Sequence, residues 1–300
     1  MAEVSFENRT VIVTGAGNGL GKAYALDLGS RGAKVVVNDL GGAVDGSGSG
    51  STPADEVVNE IVASGGEAVA NYDSVATKEG GESIVQTAID NFGTVDAVVN
   101  NAGILRDKSF ANMSEEELAL IIDVHLKGAF FVSQPAFKVM KENAYGRIVN
   151  VASPSGLFGN FGQSNYGAAK MGVVGLTNVL AIEGAKYNIK VNVIAPTAYT
   201  RMTEALLPED VGKLFSAELV TPMVSYLASE ACEPSHEIFG VAAGRFARIG
   251  IITHKGYVNT SASAEDIAEN IEEIRTIKDG TYPLSNEDEL VIIQQAIQGN

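Results

Sequence analysis

Cysteine and histidine are scarce in this chain, which has one cysteine and three histidines among its 300 residues. A single cysteine, Cys232, excludes an intrachain disulfide and favours a reducing compartment. We expect Cys232 to pack as a small apolar side chain rather than to act as a nucleophile. The histidines, His125, His236 and His254, lack the spacing typical of metal ligands, so the sequence predicts no metal site.

Basic residues and long apolar runs are also in short supply. With 21 Lys and Arg against 37 Asp and Glu, the net charge is −16, which disfavours nucleic acid as a partner. No apolar run reaches the roughly 18 residues of a membrane-spanning helix, so we expect no membrane association. The N-terminus has no secretory character and the C-terminus is not a peroxisomal address, so we expect a cytoplasmic location.

What the chain does contain is a regular alternation of short apolar runs and helical stretches. This alternation predicts an α/β fold with a doubly wound parallel sheet, and 45% apolar residues suffice for one large core. The predicted strands lie near residues 10–14, 33–38, 67–71, 95–99, 146–151, 189–194 and 238–242. We predict one domain over residues 1–250 and a C-terminal extension over residues 251–300, which packs on the same domain or on a partner subunit.

A glycine-rich turn follows the first predicted strand. The run Gly15–Gly21 opens a helical pattern, and the next predicted strand ends at Asp39. Strand, glycine turn and helix N-terminus form a phosphate site in Rossmann-type folds, and an acid after the second strand binds the adenosine ribose. Neither Asn18 nor Leu40 supplies a cation for a 2′-phosphate, so NAD is favoured over NADP. The alternative is that Asp39 only caps the following loop.

Tyr166 and Lys170 are spaced to share one face of a helix, with Ser153 upstream at the end of a buried strand. An ammonium about 5 Å from a phenol favours the phenolate by roughly 3 kcal/mol at an effective dielectric of about 20. Tyr166 could then exchange a proton while the Ser153 hydroxyl polarises a carbonyl. The alternative is a tyrosine and a lysine that share a helix face without a chemical role.

Together these motifs resemble the short-chain dehydrogenase/reductase superfamily. The resemblance rests on Thr14-Gly15-x-x-x-Gly19-x-Gly21, Asn100-Asn101-Ala102-Gly103, Ser153 and Tyr166-x-x-x-Lys170. Within the superfamily the chain looks similar to the (3R)-hydroxyacyl-CoA dehydrogenase unit of peroxisomal multifunctional enzyme type 2 and its free-standing bacterial relatives. The closer matches are the runs 37–42, 101–107, 124–128 and 159–163, and the resemblance is strong from about residue 5 to 250.

The resemblance implies a set of site residues. The catalytic group would be Ser153, Tyr166 and Lys170, joined by His125, which stands where many members carry an asparagine of a proton relay. Alternatively, His125 is a buried histidine bonded to backbone. The implied cofactor contacts are Gly15, Asn18, Gly19, Leu20, Gly21, Asp39, Ser74, Val75, Asn101, Ala102, Gly103, Tyr166 and Lys170. The predicted substrate contacts are Ser153, Arg106, Arg201 and Met202.

The predicted activity is NAD-dependent oxidation of a secondary alcohol, with a (3R)-hydroxyacyl-CoA as the substrate. A hydroxysteroid or other bulky secondary alcohol is the main alternative, followed by a 3-oxoacyl reductase and, remotely, a non-catalytic NAD-binding scaffold. We also predict a homodimer. The helix that carries Tyr166 and the helix near residues 115–140 are apolar on more than one face, and the superfamily commonly dimerises through these two helices.

Overall fold

The computed structural model describes residues 4–200 and 212–298. Its centre is an eight-stranded sheet in the order β3-β2-β1-β4-β5-β6-β7-β8. The strands are β1 Thr10–Thr14, β2 Lys34–Asn38, β3 Glu67–Asn71, β4 Ala97–Asn100, β5 Gly146–Val151, β6 Ile189–Thr197, β7 Ile238–Ala242 and β8 Arg245–Ile249. The pairings from β3 across to β7 are all parallel, so the carboxyl ends of these strands meet at one edge. The predicted doubly wound parallel sheet is confirmed.

Helices cover both faces of the sheet. The α-helices of the described residues are α1 Gly19–Ser30, α2 Thr52–Ala63, α3 Lys78–Phe92, α4 Glu115–Ile122, α5 Gly128–Glu142, α6 Pro154–Phe158, α7 Ser164–Gly184, α8 Thr221–Ala228, α9 Ala264–Glu269, α10 Ile271–Ile274 and α11 Asn286–Gln298. Local signals define several ends. The Thr77 side chain caps α3, Gly93 closes it with φ +81°, and a Ser114–Glu117 capping box begins α4. No helix within the described ranges is long and apolar enough to cross a bilayer.

Alternate strand residues build two separate cores. In β1, Val11 and Val13 pack with α1, α2 and α8, whereas Ile12 packs with α3, α5 and α7. Because successive side chains of a strand point to opposite faces, a strand buried on both sides needs a continuous apolar run. The β-branched run of β1, buried at every position, meets that requirement.

The predicted strands match β1 to β7 with small shifts at their ends. The largest shift is in β6, which continues to Thr197 rather than ending at residue 194. β8 was not predicted. It follows β7 after the two-residue turn Ala243–Gly244, where both residues have positive φ, and so short a turn can join only antiparallel strands.

The predicted long helix near residues 115–140 is α4 and α5 joined by a π-helical turn, Asp123–Lys127. This turn carries His125 inward, where only 4% of the residue is exposed. π-turns are rare and often lie at functional sites, and nothing in the residue pattern announces this one.

The chain divides into two compact units, residues 1–248 and 249–300. In the second unit, an antiparallel bridge joins Thr253 to Thr281. Residues 264–274 form two short acidic helices, α9 and α10, separated at Asn270. Their side chains Ile267 and Ile271 are 43% and 41% exposed. What this extension packs against stays a prediction.

Candidate active site

A cavity of about 430 Å³ opens at the carboxyl edge of the parallel strands. Open α/β sheets bind ligands where the strand order reverses, which here is between β1 and β4. The predicted residues that line the cavity are Gly15, Asn18, Gly19, Leu20, Gly21, Asp39, Ser74, Val75, Asn101, Ala102, Gly103, His125, Ser153, Tyr166 and Lys170. The cavity thus joins both predicted halves of the site.

The glycine turn at one end of the cavity is packed too closely for side chains. Gly15 has φ +61°, and a Cβ on Gly21 would lie 2.1 Å from the Gly15 carbonyl oxygen. Asn18, in extended conformation, begins α1 without a side-chain cap. The first-turn N–H groups of a helix have no intrahelical partner, and they favour an anion such as a pyrophosphate. This turn therefore fits a dinucleotide.

Asn101 and Thr14 fasten this turn to the sheet. The Asn101 side-chain amide donates to the carbonyl oxygens of Thr14 and Gly15, both at 3.0 Å. The Thr14 hydroxyl accepts from the backbone N–H groups of Asn101 and Ala102 at 3.0 and 3.1 Å. Asn101 thus supports the cofactor end by holding backbone in place as well as by lining the cavity.

Asp39 lies at the end of β2 and joins two backbone segments. One carboxylate oxygen accepts from Gly17 N–H and the other from Gly41 N–H, each at 2.7 Å. A carboxylate oxygen has more than one lone pair, so Asp39 can still accept from ribose hydroxyls while it repels a 2′-phosphate. The site fits NAD.

Asp73 also lines the cavity and was not predicted. It follows β3, directly before Ser74 and Val75, and its carboxylate accepts from Asn71 Nδ2 at 2.9 Å and Ser83 Oγ at 2.7 Å. Its position just after a strand, at the ligand-binding edge of the sheet, is the signal that could have identified it.

At the other end of the cavity, α7 carries Tyr166 and Lys170, and Ser153 caps α6 by accepting from Ser155 N–H at 3.2 Å. Burial raises the pKa of Tyr166, and a hydrogen bond with Ser153 opposes that rise. The net direction is opposite to the expected lowering. The neutral phenol is therefore favoured in this structure, with Ser153 in hydrogen-bonding contact with it.

Lys170 explains why the expected lowering is absent. It is only 4% exposed, its Nζ donates to the Val151 carbonyl oxygen at 2.6 Å, and burial lowers its pKa to about 7. The Nζ atom lies 5.6 Å from the centre of the Tyr166 ring. Desolvation disfavours the ammonium, so near neutral pH Lys170 is partly uncharged and offers the phenolate less support than a full charge would.

His125 contacts Tyr166 edge-on, with ring centroids 5.0 Å apart. Its Nε2 lies 2.8 Å from the Ile104 carbonyl oxygen and 3.1 Å from Ile104 N, whereas its buried Nδ1 has no hydrogen-bond partner among the residues that the structure describes. Burial, together with the Lys170 charge, lowers the pKa of His125 well below its usual range. The ring is therefore neutral. The backbone contact matches the alternative prediction, and a relay through Nδ1 stays a prediction.

Comparison with known proteins identifies the family. The family model "short chain dehydrogenase" matches residues 9–210. The chain belongs to the short chain dehydrogenase family. The prediction of an oxidoreductase acting on CH–OH groups is confirmed at the level of this family and its dehydrogenase-named relatives.

Individual relatives are similar over most of this short chain dehydrogenase. It is 58% identical over 246 residues to the peroxisomal hydratase-dehydrogenase-epimerase of Saccharomyces cerevisiae, covering 82% of this chain and 27% of that protein. It is 51% identical over 269 residues to a protein of Mycobacterium tuberculosis named as a short-chain type dehydrogenase/reductase, covering 89% and 94%. The structure of full-length peroxisomal multifunctional enzyme type 2 from Drosophila melanogaster aligns with TM-score 0.83 and 37% identity, covering 98% of this chain and 50% of that one. The chain thus spans about a quarter to a half of these two multifunctional relatives.

The predicted substrate contacts of this short chain dehydrogenase do not all lie at the cavity. Ser153 lines the cavity, but Arg106 is not among the lining residues. The Arg106 Nε donates to the Asp45 carbonyl oxygen at 2.9 Å, and Nη1 lies 3.7 Å from Glu116. Arg201 and Met202 lie outside the described residues. Among the residues described, no group of three or more His, Cys, Asp or Glu could hold a metal ion.

Proposed function

We propose that this chain is an NAD-dependent dehydrogenase that interconverts a (3R)-hydroxyacyl-CoA and the 3-oxoacyl-CoA. The observation that carries the proposal is one cavity with Asp39 and a glycine turn at one end and Ser153, Tyr166 and Lys170 at the other. The first set suits a dinucleotide, and the second suits proton exchange with an alcohol oxygen.

Each catalytic side chain has a distinct role in the proposal. In oxidation Tyr166 must first lose its own proton, and its phenolate then takes the hydroxyl proton of the substrate; in reduction its phenol donates a proton to the substrate oxygen. Ser153 donates a hydrogen bond to the substrate oxygen and orients it. Lys170 holds the nicotinamide ribose and supplies positive charge near the phenol when it is protonated. Bound NAD would accept the hydride at its nicotinamide ring.

An acyl-CoA substrate is supported by the resemblance to the (3R)-hydroxyacyl-CoA dehydrogenase unit and by the apolar lining of the cavity with a cation beside it. The apolar lining near α4 includes Ile104, Leu105 and Leu120, which suit an acyl chain. Next to Gln163, which lines the cavity, Lys108 N–H donates to the Gly162 carbonyl oxygen at 2.7 Å, and the Lys108 side chain is exposed. An exposed ammonium there suits the phosphates of coenzyme A despite the net charge of −16.

The deciding experiment is an NAD-linked oxidation assay on a matched substrate panel. The panel holds (3R)- and (3S)-hydroxyacyl-CoAs, the free hydroxy acids and hydroxysteroids. We expect turnover of the (3R)-thioester with kcat/KM at least about a hundredfold above that of the free acid, a gap of roughly 2.8 kcal/mol. Faster turnover of a hydroxysteroid would move the assignment to that class. Absence of turnover for every alcohol, with NAD still bound, would favour the scaffold reading.

We also propose a homodimer through α5 and α7. Met171, Val179 and Ile182 recur along one side of α7 and are 40%, 53% and 56% exposed, and Phe130 of α5 is 48% exposed. An apolar stripe of this kind suits a twofold interface. Analytical ultracentrifugation should give a dimer at micromolar concentration, and Val179→Glu should shift it towards monomer. A stable wild-type monomer would contradict the proposal.

The cytoplasmic location remains a proposal from the sequence. The yeast and fruit-fly relatives are named as peroxisomal proteins, so both compartments need testing. Imaging of the tagged full chain in its native cell, with markers for both compartments, distinguishes them.

A further inference from the structure

The loop after β2 forms a folded strap, defined here as residues 41–50. Gly50 N–H donates to the Leu40 carbonyl oxygen at 2.9 Å and closes the base of the strap. Inside it, Ala43 N–H donates to the Ser47 carbonyl oxygen at 2.8 Å. The strap residues that line the cavity are Gly42, Ala43, Val44 and Gly46. The strap is therefore a wall of the cavity, although its glycine and serine content is typical of a flexible linker.

A second segment, which follows β4, holds the strap from outside. Leu105 N–H donates to the Val44 carbonyl oxygen at 3.0 Å, and Arg106 Nε donates to the Asp45 carbonyl oxygen at 2.9 Å. Gly46, at φ +85°, fits against this segment so closely that a Cβ there would lie 2.9 Å from Ile104 Cδ1. The Arg106 side chain completes this contact, because its guanidinium group faces both the Asp45 carbonyl oxygen and the Glu116 carboxylate.

The segment is itself fixed to the catalytic helix. The buried Asn165 donates from Nδ2 to the Arg106 carbonyl oxygen at 3.0 Å and to the Glu117 carbonyl oxygen at 3.1 Å. Its Oδ1 accepts from Tyr166 N–H at 2.7 Å. Arg106 thus reaches the strap from a rigid base, because its own backbone is anchored at the start of α7.

We propose that Arg106 is a positioning residue that holds the strap closed over the cofactor end of the cavity and slows release of the dinucleotide. The inference rests on the proposed function for the identity of the cofactor, but the contact between Arg106 and the strap does not. Asp39 adds to the same closure, since its carboxylate accepts from Gly41 N–H at the start of the strap. A loop with few side chains depends on such external hydrogen bonds, and the loss of one leaves it open more of the time.

The test has one arm without cofactor and one with it. In the protein without added nucleotide, Arg106→Ala should raise the hydrogen-exchange rates of residues 42–47 by about fivefold, the loss of about one hydrogen bond. With NADH, the dissociation rate measured by stopped-flow fluorescence should rise by a similar factor, while the association rate changes little. The KM for NAD should rise and kcat at saturating NAD should stay within about twofold.

Two further variants separate closure from charge. Gly46→Val disturbs the same contact without removing a charge, so it should raise both rates as Arg106→Ala does, and the double variant should be less than additive. Arg245→Ala is the control for charge. Arg245 is an exposed arginine of β8 outside the cavity lining, so its substitution also removes one positive charge but should leave strap exchange and NADH dissociation unchanged.

Three results would overturn the inference. One is unchanged exchange of the strap in Arg106→Ala. Another is strap exchange that rises while NADH dissociation does not. The third is an effect confined to the KM of the acyl-CoA, which would return Arg106 to the substrate-binding role expected from the sequence. Failure of the wild-type protein to bind NADH would instead remove the proposed function, with the exchange arm still reporting on the contact.

Discussion

The two ends of the cavity are built by different means. The nucleotide end is made of backbone, with amide groups and glycines packed so that a Cβ on Gly15 would lie 2.7 Å from the Ala102 Cα. The chemical end is made of titratable side chains, and burial moves the pKa values of Tyr166, Lys170 and His125 away from their ordinary values. Geometry thus decides what binds at one end, whereas desolvation decides which protonation state is available at the other.

This difference determines how each end should respond to substitution. Adding atoms should damage the nucleotide end, because its glycines leave no space. Removing the Tyr166 hydroxyl should damage turnover at the chemical end while leaving cofactor binding nearly intact, whereas removing the Lys170 charge should damage both, because Lys170 holds the nicotinamide ribose in the proposal. Variants at the two ends should therefore separate cofactor affinity from turnover.

The largest effect is expected at the chemical end. Tyr166→Phe should lower kcat for alcohol oxidation by about a thousandfold, because the hydroxyl transfers a proton in the transition state. The Kd for NAD, measured by fluorescence titration, should stay within about threefold. Tyr72→Phe is the matched control, since Tyr72 is exposed and outside the cavity lining. A Tyr166→Phe variant that kept a tenth of the activity would show that another group moves the proton.

The prediction for Tyr166 shows both the reach and the limit of the sequence. The spacing of Tyr166 and Lys170 was enough to place both on one face of α7, because helix geometry is local. The direction of the Tyr166 pKa shift was predicted wrongly. The prediction assumed that Lys170 carries a full positive charge. Burial removes part of that charge, and the burial depends on how α7 packs against β5, which the spacing of residues within one helix does not reveal.

The same distinction explains the other differences. β1 to β7 were predictable because strands buried on both faces require apolar runs. Two features depend on contacts between segments distant in sequence and could not be predicted. One is the π-turn that places His125 in the interior, and the other is the hydrogen bond from Arg106 to the strap. Because Arg106 follows a predicted cofactor-binding strand, the sequence suggested that it contacts the substrate. In the structure its side chain instead donates to the backbone carbonyl oxygen of Asp45, 61 positions away in the sequence.

A smaller effect, of about a hundredfold, is expected from crowding the nucleotide end. Gly21→Ala should raise the Kd for NAD by that factor, or roughly 2.8 kcal/mol, because the new Cβ meets the Gly15 carbonyl oxygen. Gly175→Ala is the control, since Gly175 is outside the cavity lining and a Cβ there meets no atom of the described residues of its own protomer within 4 Å; ultracentrifugation checks that this variant keeps the oligomeric state of the wild type. Calorimetric titration checks the affinity, and circular dichroism confirms that both variants fold. A folded Gly21→Ala protein with wild-type affinity would mean that the turn does not carry the pyrophosphate.

Cofactor choice should respond by about tenfold. In the wild-type protein we expect kcat/KM with NAD to exceed that with NADP at least tenfold, about 1.4 kcal/mol, because the Asp39 carboxylate repels a 2′-phosphate. Asp39→Ala should narrow that ratio, whereas Asp90→Ala, in an exposed position of α3, should leave it unchanged. Equal use of both cofactors by the wild-type protein would contradict the role of Asp39.

The last expected effect concerns stability and follows from the buried ammonium. The pKa of Lys170 falls from 10.5 in the unfolded chain to about 7 in the folded one. Between these values the unfolded chain holds a proton that the folded chain lacks, so the free energy of unfolding should rise with pH from about 7 to 10.5. Below pH 7 the folded protein must accommodate the charge, and the full cost, about 5 kcal/mol, is present.

Lys170→Met removes that cost but leaves the Val151 carbonyl oxygen without its donor, at a cost of about 1–3 kcal/mol. The net expectation is a variant about 2 kcal/mol more stable than the wild type at pH 7, with the advantage shrinking and then reversing as pH approaches 10.5. Urea unfolding at several pH values measures how the free energy of unfolding of the wild type and of Lys170→Met depends on pH. Lys186→Met, at an exposed lysine just after α7, is the control. If wild type and Lys170→Met changed in parallel across this range, the lysine would be fully charged in the folded protein. The electrostatic support for a Tyr166 phenolate expected from the sequence would then be restored.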